Sequence, residues 1–444
     1  MTAEWREVRL GDLVDLLTGY PFQSKSYVED AFAPRLLRGD NVGPGSLRWE
    51  GVKRWPEQMA MDLNQYWLRE GDVVLAMDRP WIEAGLKYAS VRRSDLPSLL
   101  VQRVARLRGT TDLETSFLRY LIGSAAFTKH ILGVQTGTTV PHISPSQIKS
   151  FLFRLPPVHI QRAIAHILGT LDDKIDLLRR MNQTLEETAR TLFKSWFVDF
   201  DPVRAKAAGR KPVGLDTETA KLFPRAFARD DLPEAPEGWT RAALASWATA
   251  LSGGTPSKSN PVMWDGSIPW ISPKVMKEIH ADESDDQVTP EAIGNGTRLA
   301  PAGTTLVMVR GMGLHRGVRI SQTTREVAFN QDVKALVPRG IEPDLLFFAL
   351  LDGQQDLLGK VESSGHGTGV LASEILLAHP ITMPARQVQQ KFAVPFEAIN
   401  ARIAANRRQI RTLAETRDTL LPKLLSGSLR IPDVERFLSS EVRS

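Results

Sequence analysis

The chain has no cysteine in its 444 residues. That excludes a disulfide framework, thiolate metal ligands and a cysteine nucleophile, and it fits a reducing compartment. No apolar run reaches membrane-spanning length, and the start, Met1-Thr-Ala-Glu-Trp-Arg-Glu7, lacks the basic and then apolar pattern of a secretory signal. These absences predict a soluble, cytoplasmic protein with no membrane partner. Histidine is sparse: eight residues are scattered without a ligand cluster, and His159 and His166, which share a helix face, read as structural. Charge of one sign is also in short supply. The 56 Lys and Arg against 51 Asp and Glu leave a net +5, a mild lean toward a polyanionic partner that carries no argument alone.

Catalytic motifs are missing as well. There is no phosphate-binding Gly-x-x-x-x-Gly-Lys-Ser/Thr loop; Gly359-Lys360 is followed by Val361 and lacks the upstream glycine. The sole Pro-Pro, in Leu155-Pro-Pro-Val158, has neither the preceding Asn or Asp nor the following aromatic that an adenine-methylating pocket uses. The spacing of Gly311-Met-Gly-Leu-His-Arg-Gly317 is wrong for a dinucleotide fingerprint. Asp332-Val-Lys334 has the form of the tail of a nuclease carboxylate-lysine site, but no matching acidic motif precedes it. Its duplicate reads Arg103-Val-Ala105, so a solvated strand face is the better reading. The chain is expected to catalyse nothing itself.

What is present is a repeat. Residues 156–192 align without a gap on 384–420 at a constant offset of 228: Gln161 meets Gln389, Ile175 meets Ile403, Arg179-Arg180 meet Arg407-Arg408, and Glu187-Thr188 meet Glu415-Thr416. A period of half a chain is not a solenoid repeat. It means two copies of a domain-plus-helix unit related by an internal pseudo-two-fold. The predicted fold is α+β: two similar α/β domains separated by two long helices that form an intramolecular antiparallel coiled coil. The boundaries fall at 1–154 for the first globular domain, 155–204 for the central helical region, 205–236 for a polar linker, 237–382 for the second globular domain, 383–427 for the distal helical region and 428–444 for a tail. The globular copies are more diverged than the helices, yet they share landmarks. Ser24-Lys25-Ser26 answers Ser257-Lys258-Ser259, Leu75-Ala-Met77-Asp-Arg79 answers Leu306-Val-Met308-Val-Arg310, and Thr138-Thr139-Val140 answers Thr368-Gly369-Val370.

Within the helices, apolar residues step by threes and fours, which is a heptad seam. An internal two-fold makes the two helices antiparallel, and one register pairs the seams throughout: Leu171 with Arg417, Ile175 with Leu413, Leu178 with Ile410, Asn182 with Asn406, Leu185 with Ile403 and Ala189 with Ile399. That register sets two asparagines opposite each other, where a buried polar pair penalises slippage; the competing reading puts each at the wet edge of the seam. Pro395 removes a helical hydrogen bond and clashes one turn back, so a kink or a fresh start is expected there.

Four segments carry a resemblance: Leu155-Pro-Pro with Gln161 opening a long helix, Leu192-Phe-Lys-Ser-Trp-Phe-Val-Asp-Phe-Asp-Pro-Val203, Pro236-Glu-Gly-Trp239, and Leu420-Leu-Pro-Lys-Leu-Leu-Ser-Gly427. Over essentially its whole length the chain resembles the specificity subunits of type I restriction-modification enzymes. The resemblance implies two target-recognition domains on double-stranded DNA and a bipartite, asymmetric target with an unread spacer. It implies two modification subunits docked on the helices, carrying S-adenosylmethionine and the pocket for a flipped adenine. Restriction subunits with motor and nuclease would join them, with ATP and Mg2+ there and no cofactor in this chain. A helix of about 40 residues spans roughly 60 Å, more than one turn of B-DNA.

On that basis the candidate DNA contacts are Ser24, Lys25 and Ser26, with Ser257, Lys258 and Ser259, because small hydroxyls and a lysine in flexible turns suit phosphates. Arg79 and Arg310 stand at strand ends where a guanidinium can grip guanine. Lys87 and Arg319 hold matching places after Gly85 and Gly317, as do Thr138, Thr139 and Thr368 in their loops. For each, the alternative is a solvated side chain or a part of the fold. Two rival functions stand beside DNA reading: a protein-interaction scaffold without sequence preference, and an enzyme whose site is not visible in the sequence.

Overall fold

A computed structural model describes residues 5–137, 139–228, 235–364 and 367–431. The chain divides into two compact units, Met1–Arg179 with Arg407–Ser444, and Arg180–Asn406. No helix among the described residues is long and apolar enough to cross a membrane.

In the first unit the elements used below are β1 (Arg6–Arg9), β2 (Val14–Thr18), β3 (Val73–Ala76), β4 (Tyr88–Ser90), β5 (Val104–Gly109), α1 (Thr115–Ile122), β6 (Leu152–Leu155) and α2 (Val158–Phe197). An antiparallel sheet runs in the order β2-β5-β3-β4, and β1 pairs with β6 so that the domain's first and last strands close on each other. Alternation explains why β3 is apolar throughout. Val73 and Leu75 join the cluster under α1, while Val74 and Ala76 join a second cluster with Leu37 and Leu100 on the other face.

The chain then passes α3 (Asp201–Ala207) and α4 (Thr217–Leu222) before repeating the plan: β7 (Thr240–Ala243), β8 (Ala248–Ser252), β9 (Thr305–Met308), β10 (Ile320–Gln322), β11 (Val333–Pro338), α5 (Pro343–Asp352), β12 (Pro380–Met383) and α6 (Arg386–Ser426). The second sheet runs β8-β11-β9-β10, and β7 pairs with β12. Within the stretch 205–236, polar enough to read as a linker, residues 205–228 carry the end of α3 and all of α4. Asp216 caps α4 through the Glu218 and Thr219 N–H groups, and Phe223 is buried against Trp196 and Trp239.

Each unit holds one portion of the helix pair. In the first, Leu171, Ile175 and Leu178 are buried, and Leu413 packs on the same core as Leu171. Asp172 collects three donors there: Arg119 from α1, Tyr120 Oη at 2.8 Å and Arg417 Nη1 at 2.9 Å. Burial opposes the charge on Arg417, but its bonds to Asp172 and Asp418 outweigh that and raise its pKa. The seam arginine thus has a carboxylate to meet. In the second unit Asn406 Nδ2 donates to Asn182 Oδ1 at 2.8 Å, with Ile403 and Ala189 buried beside them and Leu185 and Ile399 partly buried.

Of the two outcomes expected at Pro395, a fresh start does not occur, since α6 is helical from Arg386 to Ser426. Pro395 deletes one N–H, but Phe392 and Phe396 on either side are fully buried, their rings 4.3 Å apart and in contact with Phe193, Phe197 and Phe348. Burying two such rings is worth several kcal/mol, about 1.5–3 each, against ~3 for an interior proline. The aromatic cluster therefore carries the helix through.

Matched glutamines fix each helix to its own domain. Gln161 accepts from Glu114 N–H at 2.9 Å and donates to Asp112 O and Pro156 O at 2.8 Å; Gln389 accepts from Glu342 N–H at 3.3 Å and donates to Pro384 O at 3.0 Å. Both are buried, which a glutamine tolerates only when its amide is satisfied. The repeat showed the match; the staple is visible only in three dimensions.

Candidate nucleic-acid interface

At one end of each core sheet, the loops that carry the candidate residues converge. In the first unit Gly19 makes this possible: a Cβ there would lie 2.3 Å from the Val101 carbonyl, so only glycine lets the chain after β2 cross the turn before β5. Gln102 N–H then bonds to Tyr20 O at 2.9 Å, so the loop that goes on to the turn Ser24–Ser26 leaves the sheet at this end. Gly253 does the same in the second unit, with a Cβ 2.3 Å from the Phe329 and Asn330 carbonyls, and leads to Ser257–Lys258–Ser259. Ser257 and Ser259 share a hydroxyl bond of 2.9 Å, and Lys25 and Lys258 are exposed.

Arg79 follows β3, exposed and in the left-handed region at φ 44°, with its N–H bonded to Pro141 O at 2.7 Å. Arg103, in the turn before β5, has φ 68°, and its carbonyl accepts from Met77 N–H at 2.8 Å. Left-handed backbone is unfavourable for a long side chain and is retained where the surroundings enforce it. Two of the four such non-glycine residues among those described lie side by side here. Asp78 sits between them. Its Oδ1 meets His142 Nδ1 at 2.6 Å and lies 3.7 Å from Arg103 Nη1. Lys87, just before β4, is buried, and its ammonium has no hydrogen-bond or ion-pair partner among the described residues. Burial lowers its pKa, as does the charge of Arg79, with Asp40 acting the other way.

The second unit presents Arg310, exposed and without a side-chain partner among the described residues, and Thr368, whose hydroxyl reaches Met312 Sδ at 4.0 Å. Arg319 is spent internally, its guanidinium donating to Pro273 O. Gln331 is held by Thr255 Oγ1 at 2.7 Å. Thr139 is exposed in its loop; Thr138 lies outside the described residues. No group of His, Asp and Glu among the described residues could hold a metal ion.

The ladders correct one correspondence drawn from the sequence. Ala76 pairs with Val104, and Met308 pairs with Val333, so Ala76 and Met308 are equivalent and the residue matching Arg310 is Asp78, one before Arg79. The loop bonds agree: Met77 N–H reaches Arg103 O as Val309 N–H reaches Asp332 O, and Ile143 N–H reaches Met77 O as Leu371 N–H reaches Val309 O. His142 therefore matches Val370, not a residue two places on. Lys87 and Arg319 do correspond, their carbonyls accepting from Ala76 and Met308 N–H. Asp78, Arg103 and His142 were not among the candidates. Arg103 had a signal in its place beside Gln102, but nothing local in the sequence brings His142 to Asp78.

Converging loops with exposed or unpartnered cations, hydroxyls and a few acceptors, at the same end of two similar sheets, suit a polyanion read by hydrogen bonds. Comparisons with known proteins agree. A family described as "Type I restriction modification DNA specificity domain" matches residues 2–187. The HindI specificity subunit of Haemophilus influenzae is 26% identical over 476 residues, covering 96% of this chain and 100% of that one. The EcoAI specificity subunit of Escherichia coli is 35% identical over 189 residues, 42% of this chain and 31% of that one. Among solved structures, the S subunit of a type I restriction-modification system from M. genitalium superimposes with a TM-score of 0.55 at 15% identity, covering 95% of this chain and 96% of that one, a likeness of fold.

Proposed function

We propose that the chain, which is similar along its length to type I restriction-modification specificity subunits, is one of them, that it reads a bipartite, asymmetric sequence in double-stranded DNA, one half-site per globular domain, and that it positions partner subunits that do the chemistry. One observation carries the reading: in each unit the loops bearing Lys25, Arg79 and Lys87, or Lys258 and Arg310, gather at the same end of the same sheet. Two copies of one scaffold with different side chains at that end favour two half-sites of different sequence. Phosphate contacts from the lysines and hydroxyls would set the register, and the arginines would address base edges in the major groove.

The helix pair is the proposed docking surface for two modification subunits, with restriction subunits joining that assembly. S-adenosylmethionine, ATP and Mg2+ are assigned to those partners, and this chain is proposed to be non-catalytic. The test is to purify the chain with its modification subunits and map methylated adenines by long-read sequencing. A split motif with an unread spacer is the expected result. Methylation without sequence preference would favour an interaction scaffold, and methylation by the chain alone would favour a hidden enzyme.

A further inference from the structure

The corrected correspondence exposes a charge inversion. On the strand extension after β3 the first unit has Asp78, and on the turn before β5 it has Arg103; at the equivalent backbone positions the second unit has Arg310 and Asp332. Acid and base have exchanged places. In the first unit the exposed Arg103 guanidinium lies 3.7 Å from Asp78 Oδ1, longer than a hydrogen bond, so its N–H groups remain available. Asp78 Oδ1 is occupied by His142, and Oδ2 has no partner among the described residues. In the second, Asp332 Oδ2 accepts from Asn330 Nδ2 at 3.2 Å and Oδ1 has no partner among the described residues. Each unit thus offers one guanidinium fork and one free carboxylate oxygen at its reading end.

A surface that grips phosphates has no use for a carboxylate, which repels them; a surface that reads base edges does. In the major groove guanine presents N7 and O6 as acceptors, matched by an arginine fork, and its cytosine presents the N4 amino group, matched by a carboxylate. O6 and N4 are hydrogen-bonded to each other, about 3 Å apart, and the Arg103 fork and the Asp78 carboxylate are similarly close, 3.7 Å from Nη1 to Oδ1, with Oδ2 the oxygen left to take the N4 amino group. We propose that each domain reads one guanine·cytosine pair with an arginine and an aspartate acting together, Arg103 with Asp78 and Arg310 with Asp332, and that the two domains hold that pair the opposite way round. Guanine lies under the turn in the first unit and under the strand extension in the second. This rests on the DNA-reading function proposed above. His142 serves as a positioning residue that fixes the Asp78 carboxylate.

The experiment selects binding sites from randomised duplexes with the full chain in complex with its modification subunits. Arg103→Gly removes the guanidinium while glycine keeps the left-handed backbone, and the exchange Asp78→Arg with Arg103→Asp reverses the pair, aspartate also tolerating that conformation. With Arg103→Gly, preference at one guanine·cytosine position of one half-site should fall about tenfold or more, the other half-site staying unchanged. The exchange should restore a preference there with guanine and cytosine swapped between strands. A sharp split motif that Arg103→Gly leaves intact overturns the proposal but not the function. A uniform loss of affinity with unchanged base preference overturns it too, because it marks a phosphate contact. A wild-type complex with no sequence preference overturns both. Thermal melting of each variant separates misfolding from altered reading, and the exchange variant decides the matter if the glycine variant unfolds.

Discussion

Asp344 lies on α5 with Oδ1 accepting from Asn400 Nδ2 of α6 at 3.2 Å, and burial raises its pKa although bonds from Gln322 and Asn400 pull it down. The sign of the consequence follows from linkage. In the unfolded chain this carboxyl titrates near the usual value, ~4, and in the fold it holds its proton to higher pH. The folded state therefore binds more protons between those two values, and stability is lost as pH rises from the unfolded pKa through the folded one. Asp344→Asn keeps an acceptor for both amides and removes the charge. It should stabilise the second unit by roughly 1–3 kcal/mol at pH 8 and progressively less toward pH 4. Thermal unfolding of both proteins across that range checks it, and a gap that widens on acidification would contradict the assignment. Nothing local marks Asp344, because a carboxylate after Pro343 at a helix start looks like an ordinary first-turn acid. What makes it unusual is α6, which lies more than forty residues away in the chain.

The helices were the most legible elements, because a seam that steps by threes and fours is written in consecutive residues. Register came with it once the two asparagines were set opposite each other. The fresh start allowed for at Pro395 fails for the complementary reason: helix propensity is local, whereas the Phe392 and Phe396 burial that overrides it depends on Phe193, Phe197 and Phe348. The asparagine pair now supports a quantitative prediction. Asn406 is almost fully buried and Asn182 half-buried, so Asn182→Leu strands a buried amide and should destabilise by about 1–3 kcal/mol, with Asn406→Leu milder. Replacing both should recover much of that loss, since an apolar pair suits a seam at least as well. Denaturant unfolding of the four proteins gives the coupling, and light scattering reports association. If the double variant remains a single species with the same target, the pair contributes stability and not register.

At the scale of the molecule, duplication was plain where no gaps intervene and blurred where loops differ. The offset between copies is 234 at Gly19 and Gly253, 232 at Ala76 and Met308, 229 at Val104 and Val333, and 228 along the helices. Short matching strings at one offset are displaced by a residue in such a region, so Arg79 faces Arg310 in the sequence although Asp78 holds the equivalent place in the fold. The same duplication makes a prediction for the whole protein. A net charge of only +5 gives a weak long-range field, so the salt dependence of DNA binding should come from individual phosphate contacts rather than from overall charge. Lys25 and Lys258 are exposed, sit in corresponding turns and have no ion-pair partner among the described residues. Alanine at either should reduce the slope of log affinity against log salt by about 0.9, and at both by about 1.8, without changing the bases preferred. Binding isotherms of the assembled complex at several salt concentrations read the slopes directly. Additivity would mean that the two turns engage one duplex at the same time. A double variant no different from either single variant would mean that only one domain holds the backbone through its lysine.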